Sequence, residues 1–232
     1  MISRPNAHAI SEGWGLSAAL LAHPGLNLIP DGGDNVVVAG ELRFAKKGPD
    51  ESLIEDAYAI ELRIPRIYPM RGLPQVFETA NRIPRDFHHL DDGSLCLGAP
   101  TRLRLLALRT PDIGHFINEA VIPYLYSRSY FERFGSMPFG ELDHGTPGLE
   151  QDLVAMLGMP RGTKADCLLR VASMRRRHAN KRQCPCGSGR RLGKCHNHAV
   201  NAARAQLGRR WFAGQSLQFY GRAIASGRRH CR

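Results

Sequence analysis

The sequence has no run of about 18 or more consecutive apolar residues, so no segment is expected to cross a membrane as a helix. Its start, Met1-Ile2-Ser3-Arg4-Pro5-Asn6, lacks a basic patch followed by an unbroken apolar stretch. A secretory signal is therefore not expected, and a cytoplasmic location without membrane contact is. Acidic residues nearly vanish from the last third: residues 160–232 carry 18 Lys and Arg against 1 Asp or Glu, while residues 1–159 carry 14 against 20. The formal charge of +11 thus divides into a mildly acidic body and a strongly basic tail. Such a tail suits nucleic acid, whose condensed counterions are released as phosphates are neutralised, or an acidic protein surface, or solvent alone. Cysteine is also scarce in the body. Of the six, at positions 96, 167, 184, 186, 195 and 231, three lie in a short C-terminal cluster over 184–195. In a reducing compartment that distribution argues for a metal site over a disulfide framework.

The 232 residues, 43% of them hydrophobic, suffice for one sizeable domain and an appendage. Residues 7–23 carry Ile10, Trp14, Leu16, Leu20 and Leu21 at roughly helical spacing, stopped by Pro24-Gly25. Leu28-Ile29 and Val36–Ala39, separated by Pro30-Asp31-Gly32-Gly33-Asp34, predict strand, turn and strand. Tyr58–Ile64 alternates apolar and polar residues, and Gln75–Thr79 supplies a fourth strand. Leu103, Leu105, Leu106 and Leu108 form an apolar stretch punctuated by arginines. Thr110-Pro111-Asp112 reads as a helix start, and Ile113, Phe116, Ile117, Ala120, Val121 and Tyr124 fall on one helical face, with Pro123 expected to kink or divide the helix. Tyr124, Tyr126, Tyr130 and Phe131 read as packing of that helix on the sheet. Glu150–Leu157 predicts a last helix of the body, and Gly158-Met159-Pro160-Arg161-Gly162 a boundary. The expected organisation is an α+β domain over 7–158, a basic linker or helix over 159–182, a knuckle over 183–198 and a basic tail over 199–232. Ala165–Lys181 and Ala199–Arg210 are expected to be helical, and the aromatic pairs Trp211-Phe212 and Phe219-Tyr220 to anchor the tail on the body or stack on a partner.

Three clusters carry chemistry. In Phe87-His88-His89-Leu90-Asp91-Asp92-Gly93-Ser94-Leu95-Cys96-Leu97, the turn dipeptide Asp92-Gly93 precedes a lone cysteine and follows two histidines. Cys96 is the candidate nucleophile, and His88 or His89 would fold back across the turn to assist it. Glu141, Asp143 and His144 lie in a Gly- and Pro-punctuated loop, where they either orient one another for proton transfer or tie the loop down through its own backbone. Cys184-Pro185-Cys186, eight intervening residues and Cys195-His196 supply three sulfurs and one nitrogen, the soft tetrahedral set preferred by zinc. Four protein ligands leave no open position, so such a zinc would be structural.

Two resemblances follow from these residues. Pro65-Arg66-Ile67-Tyr68-Pro69, then Leu73–Thr79, the histidine pair and Gly93-Ser94-Leu95-Cys96-Leu97 resemble the core of the ubiquitin-conjugating enzyme superfamily, closest to its bacterial branch and covering residues 8–157. The resemblance implies a helix, an antiparallel four-stranded meander and C-terminal helices. It further implies that Cys96 receives a ubiquitin-like modifier from an activating enzyme as a thioester and passes it to an amine. The eukaryotic His-Pro-Asn is not reproduced here. A histidine or a backbone N–H would then replace the asparagine as oxyanion donor, or the domain is inactive. The cysteine and histidine cluster resembles the SEC-C motif appended to many bacterial proteins, with Cys184, Cys186, Cys195 and His196 as ligands and His198 excluded. That resemblance implies an adaptor surface for a protein partner and, in some members, nucleic acid. The readings left open are a conjugating enzyme with a recruiting tail, an inactive zinc-binding adaptor of the same fold, and a cysteine hydrolase pairing Cys96 with His144.

Overall fold

The computed structural model describes residues 13–30, 33–70, 72–138 and 146–220, and the chain divides into two units, Met1–Glu141 and Leu142–Arg232. The first unit is an α+β body. Gly15 takes a φ of 62°, and helix α1 (Leu16–Ala22) begins directly after it; the first part of the expected helix over 7–23 lies outside the described residues. A Cβ on Gly15 would run into the Asp112 carboxylate, so glycine is what lets the two segments approach. The contact is closed by the Ile113 amide, which donates to the Trp14 carbonyl at 2.8 Å.

Strands β1 (Leu26–Ile29), β2 (Asn35–Lys47), β3 (Leu53–Pro65) and β4 (Gln75–Glu78) form one antiparallel sheet in chain order. The register pairs Val38 with Leu62 and Leu62 with Val76, placing all three in the core. Tyr58, Ile60, Leu62 and Ile64 alternate with more exposed neighbours, as a sheet with one solvated face requires. Both long strands extend past the expected apolar segments, because their outward positions accept Glu41, Arg43 and Glu61 without loss of pairing.

After the sheet come α2 (Pro100–Arg109), α3 (Ile113–Phe116), a π-helical turn (Ile117–Val121) and α4 (Ile122–Phe134). The arginine-punctuated stretch is therefore a helix, opened by Pro100 in its first turn. Asp112 caps α3 by accepting the His115 amide at 2.8 Å. The π turn resolves the expected break at Pro123: it leaves that residue in the first turn of α4, where a missing N–H has no partner to lose. One polar cluster fastens α4 to β3. Arg82 donates to both Asp56 oxygens, at 2.9 and 2.7 Å, and to Glu132 at 2.6 Å. Ser129 donates to Asp56 at 2.6 Å and lies 2.9 Å from the Tyr58 hydroxyl. Burial alone would raise the Asp56 carboxyl, but Arg82 and Ser129 hold it down to about 2.

The second unit contains α5 (Thr146–Met156), α6 (Ala165–Ser173), α7 (Arg176–Ala179), α8 (Asn197–Leu207) and α9 (Arg209–Tyr220). This corrects the boundary expected at 158, since α5 packs on α6 with Leu153 and Val154 buried. The helix expected over 165–181 breaks after Ser173, where Met174 and Arg175 are extended. Arg204 from α8 fills the break: it donates to the Ala172 carbonyl at 2.9 Å and also to that of Val171. The helix expected over 199–210 ends at Gly208, whose φ is 76°. Leu168, Leu169, Ala172, Val200, Leu207 and Phe212 are buried, so the knuckle sits on a helical support of its own.

Candidate metal centre and candidate active site

Residues 182–196 form a short hairpin. Gln183 bridges Arg191, the Cys184 amide donates to the Arg190 carbonyl at 2.8 Å, and the Leu192 amide donates to that of Arg182 at 2.8 Å. Gly187 and Gly189 turn the chain with φ of 79° and 72°, a region that side-chain-bearing residues enter at a cost. A 3₁₀ turn (Leu192–Lys194) then delivers Cys195 and His196 opposite Cys184 and Cys186. The four ligand atoms lie within 4.8 Å of one another, and they are those expected from the spacing. His198 is exposed and outside the cluster.

The geometry can be tested against a tetrahedral ion. Metal–sulfur bonds of about 2.3 Å and metal–nitrogen bonds of about 2.0–2.1 Å require edges of about 3.8 Å between sulfurs and about 3.6 Å between sulfur and nitrogen. Cys186 and Cys195 sulfurs are 3.7 Å apart, and His196 Nδ1 lies 3.4 Å from Cys184 Sγ and 3.2 Å from Cys195 Sγ. The residues present fit the ion, with Nδ1 as the histidine ligand atom. Burial pushes the Cys184 thiol up to about 11. Burial also acts against ionisation of Cys186, but Ser188 and the neighbouring thiols bring that group down to about 6. Ser188 Oγ lies 3.2 Å from Cys186 Sγ and 3.4 Å from Cys195 Sγ, and Arg190 Nη2 lies 3.6 Å from Cys195 Sγ. Once the thiols are ionised, this hydroxyl and guanidinium offset the excess negative charge of three sulfurs around a divalent ion. Cys167 is buried in α6 and lies outside this cluster.

The body positions its own cysteine through a tight turn. The Leu90 amide donates to the Ser94 carbonyl at 2.8 Å, and Asp92 accepts the Ser94 amide at 3.0 Å and its hydroxyl at 2.6 Å. Leu95 enters the core, bridges His89 across the turn, and donates its amide to the Val76 carbonyl of β4 at 2.7 Å. Cys96, one residue on, is half-buried rather than sealed among leucines. Its amide donates to the His88 carbonyl at 2.7 Å. Because His89 opposes Leu95, the register sets His88 opposite Cys96.

A residue that the spacing assigned to packing holds this arrangement. The Tyr124 hydroxyl, on α4, donates to the Phe87 carbonyl at 3.0 Å and to that of His88 at 3.3 Å. His88 has a φ of 46°, a strained value for a side-chain-bearing residue, and its carbonyl therefore takes both the Tyr124 hydroxyl and the Cys96 amide. Burial raises the Tyr124 phenol, and charge on Cys96 raises it further, as expected of neighbouring acids. The His88 ring stands edge-on to Phe87 at 5.0 Å, and His89 Nδ1 is buried without a hydrogen-bond partner. Glu141, Asp143 and His144 lie outside the described residues. A hollow of about 510 Å³ on the β2–β3 ribbon is lined by Arg43, Phe44, Ala45, Glu55, Asp56 and Ala57, none of them a nucleophile. No family model, curated protein or solved structure matches the chain.

Proposed function

We propose that the body is a ubiquitin-conjugating-like carrier, with Cys96 accepting the C-terminal acyl group of a ubiquitin-like modifier, and that the knuckle is a structural zinc module recruiting a partner. The observation that carries the first part is the half-buried position of Cys96, on a turn pinned by His88 and Tyr124. In the reaction, the thiolate attacks the activating enzyme's thioester carbonyl, a new S–C bond forms, and the departing thiolate takes up a proton. An amine then attacks the Cys96 thioester and the sulfur leaves as thiolate. His88, opposite Cys96 in register, is the group we assign to removing the thiol proton, and His89, opposite a core leucine, is the less suited of the pair. The support for zinc is the donor set, three sulfurs and one nitrogen within 4.8 Å of one another, with the three separations given above close to tetrahedral edges. All four positions are filled by the chain, so the ion would supply folding free energy and no substrate site.

One observation favours the second reading, a silent adaptor of the same architecture. Tyr124 already gives its proton to two backbone carbonyls, which leaves it no hydrogen for an oxyanion. Incubation with an activating enzyme, ATP and a modifier, followed by a non-reducing gel, decides between them. The carrier gives a thiol-sensitive adduct that disappears in Cys96→Ala; an adduct indifferent to that substitution overturns the assignment.

A further inference from the structure

We infer that the exposed cations around the knuckle form a docking face for the phosphate backbone of duplex nucleic acid. The inference deepens the recruiting role proposed above for the knuckle and rests on that part of the reading, but not on Cys96.

The stretch from Cys167 to Arg232 contains no Asp or Glu. The fold then gathers two of its basic segments. The Leu192 amide bonds to the Arg182 carbonyl at 2.8 Å, and the Gly193 amide to that of Asn180 at 3.1 Å. These bonds lay the chain leaving α7 along the far arm of the hairpin, so Arg182 runs beside the stretch that carries Arg190, Arg191 and Lys194, and Arg175 and Arg176 stand at the start of the one-turn helix that leads into it. All six are exposed. Arginine dominates the set, and its planar fork matches the paired oxygens of a phosphate better than a lysine point charge does.

The class of polyanion follows from what surrounds these cations. A protein partner is ordinarily held by a buried apolar or aromatic anchor at the centre of its interface. Among the residues of the second unit whose side chains are described, 150–217, Leu217 on α9 is the one large apolar side chain that is exposed, and the hairpin tip offers Gly187, Ser188 and Gly189. Single strands are held by exposed rings on which bases stack. Phe212 is buried and Trp211 half-buried, so neither is an open platform. Among the described side chains around the hairpin, cations without an open ring or an apolar anchor suit a continuous ladder of phosphates, read without regard to base sequence.

The test uses the full, zinc-loaded chain and a labelled mixed-sequence DNA duplex, titrated by anisotropy at several salt concentrations. Each neutralised phosphate contributes about −0.9 to the slope of log K against log salt, so full engagement gives about −5. Substituting Arg175→Gln, Arg176→Gln and Arg191→Gln together should bring the slope near −3, and weaken binding about a hundredfold at physiological salt. Zinc content must match the parent, which shows that the hairpin still folds. Absence of duplex binding, equal binding by the triple variant, or equally tight binding of polyglutamate at matched charge would each overturn the inference. Cys96→Ala should bind the duplex as the parent does, so a failed thioester test leaves this result standing, and the reverse holds too.

Discussion

Tyr124 is the residue whose role distance along the chain concealed. An aromatic on the apolar face of a helix reads as packing, and its ring is indeed buried; only the fold reveals that its hydroxyl ends on the carbonyls of Phe87 and His88. Tyr124→Phe keeps the ring and removes one hydrogen bond, with a cost of about 1 kcal/mol to the turn. If that turn sets the Cys96 geometry, adduct formation should slow about tenfold while the thermal midpoint of the body falls by only about 3 °C, leaving it folded at the assay temperature. The two histidines separate in the same assay: His88→Asn should abolish the imidazole inflection in the pH–rate profile, and His89→Asn should leave it. Cys96 and the Asp92-Gly93 turn were legible because turn chemistry is local. Which histidine pairs with Cys96 in register was not, because it depends on the backbone bridge across the turn.

Among the elements, the sheet was readable from alternation, and α2 was not. Its periodicity is hidden by Arg104, which is 6% exposed and donates to the carbonyls of Pro69 and Met70, so a charged residue occupies the buried side. The β3–α4 fastening carries a pH signature. A free aspartate titrates near 3.9, whereas Asp56 is held down to about 2 in the folded protein. The unfolded chain therefore binds the proton more readily, and the stabilisation is complete above about pH 4 and lost as pH falls toward about 2. Asp56→Asn should remove this component, and denaturant unfolding of the variant should depend less steeply on pH across that window. In the second unit, Arg204→Met should destabilise the α6–α8 contact by about 2 kcal/mol, through loss of charge-assisted bonds to the Val171 and Ala172 carbonyls. Urea unfolding followed at the second unit would measure it.

At the scale of the whole molecule, the ligand spacing of the knuckle was the clearest feature of the sequence, because metal coordination needs few residues in fixed order. The division of the chain was harder to place. Glycine and proline near 158–162 marked a turn, but α5 buries Leu153 and Val154 within the second unit, and burial rather than turn chemistry decides membership. Two units imply that unfolding need not be two-state. Chelation should lower the transition of the second unit and leave that of the body, with about one zinc recovered per chain. A Cys184→Ser, Cys195→Ser double variant should retain none, measured by metal analysis of the purified chain. With the ion in place, three of the four free sulfurs among the described residues are ligands, which leaves Cys96 alone uncommitted. A mild electrophile applied to the holoprotein should therefore mark a single tryptic peptide of the described chain, and give a spectroscopic reporter seated at the carrier turn.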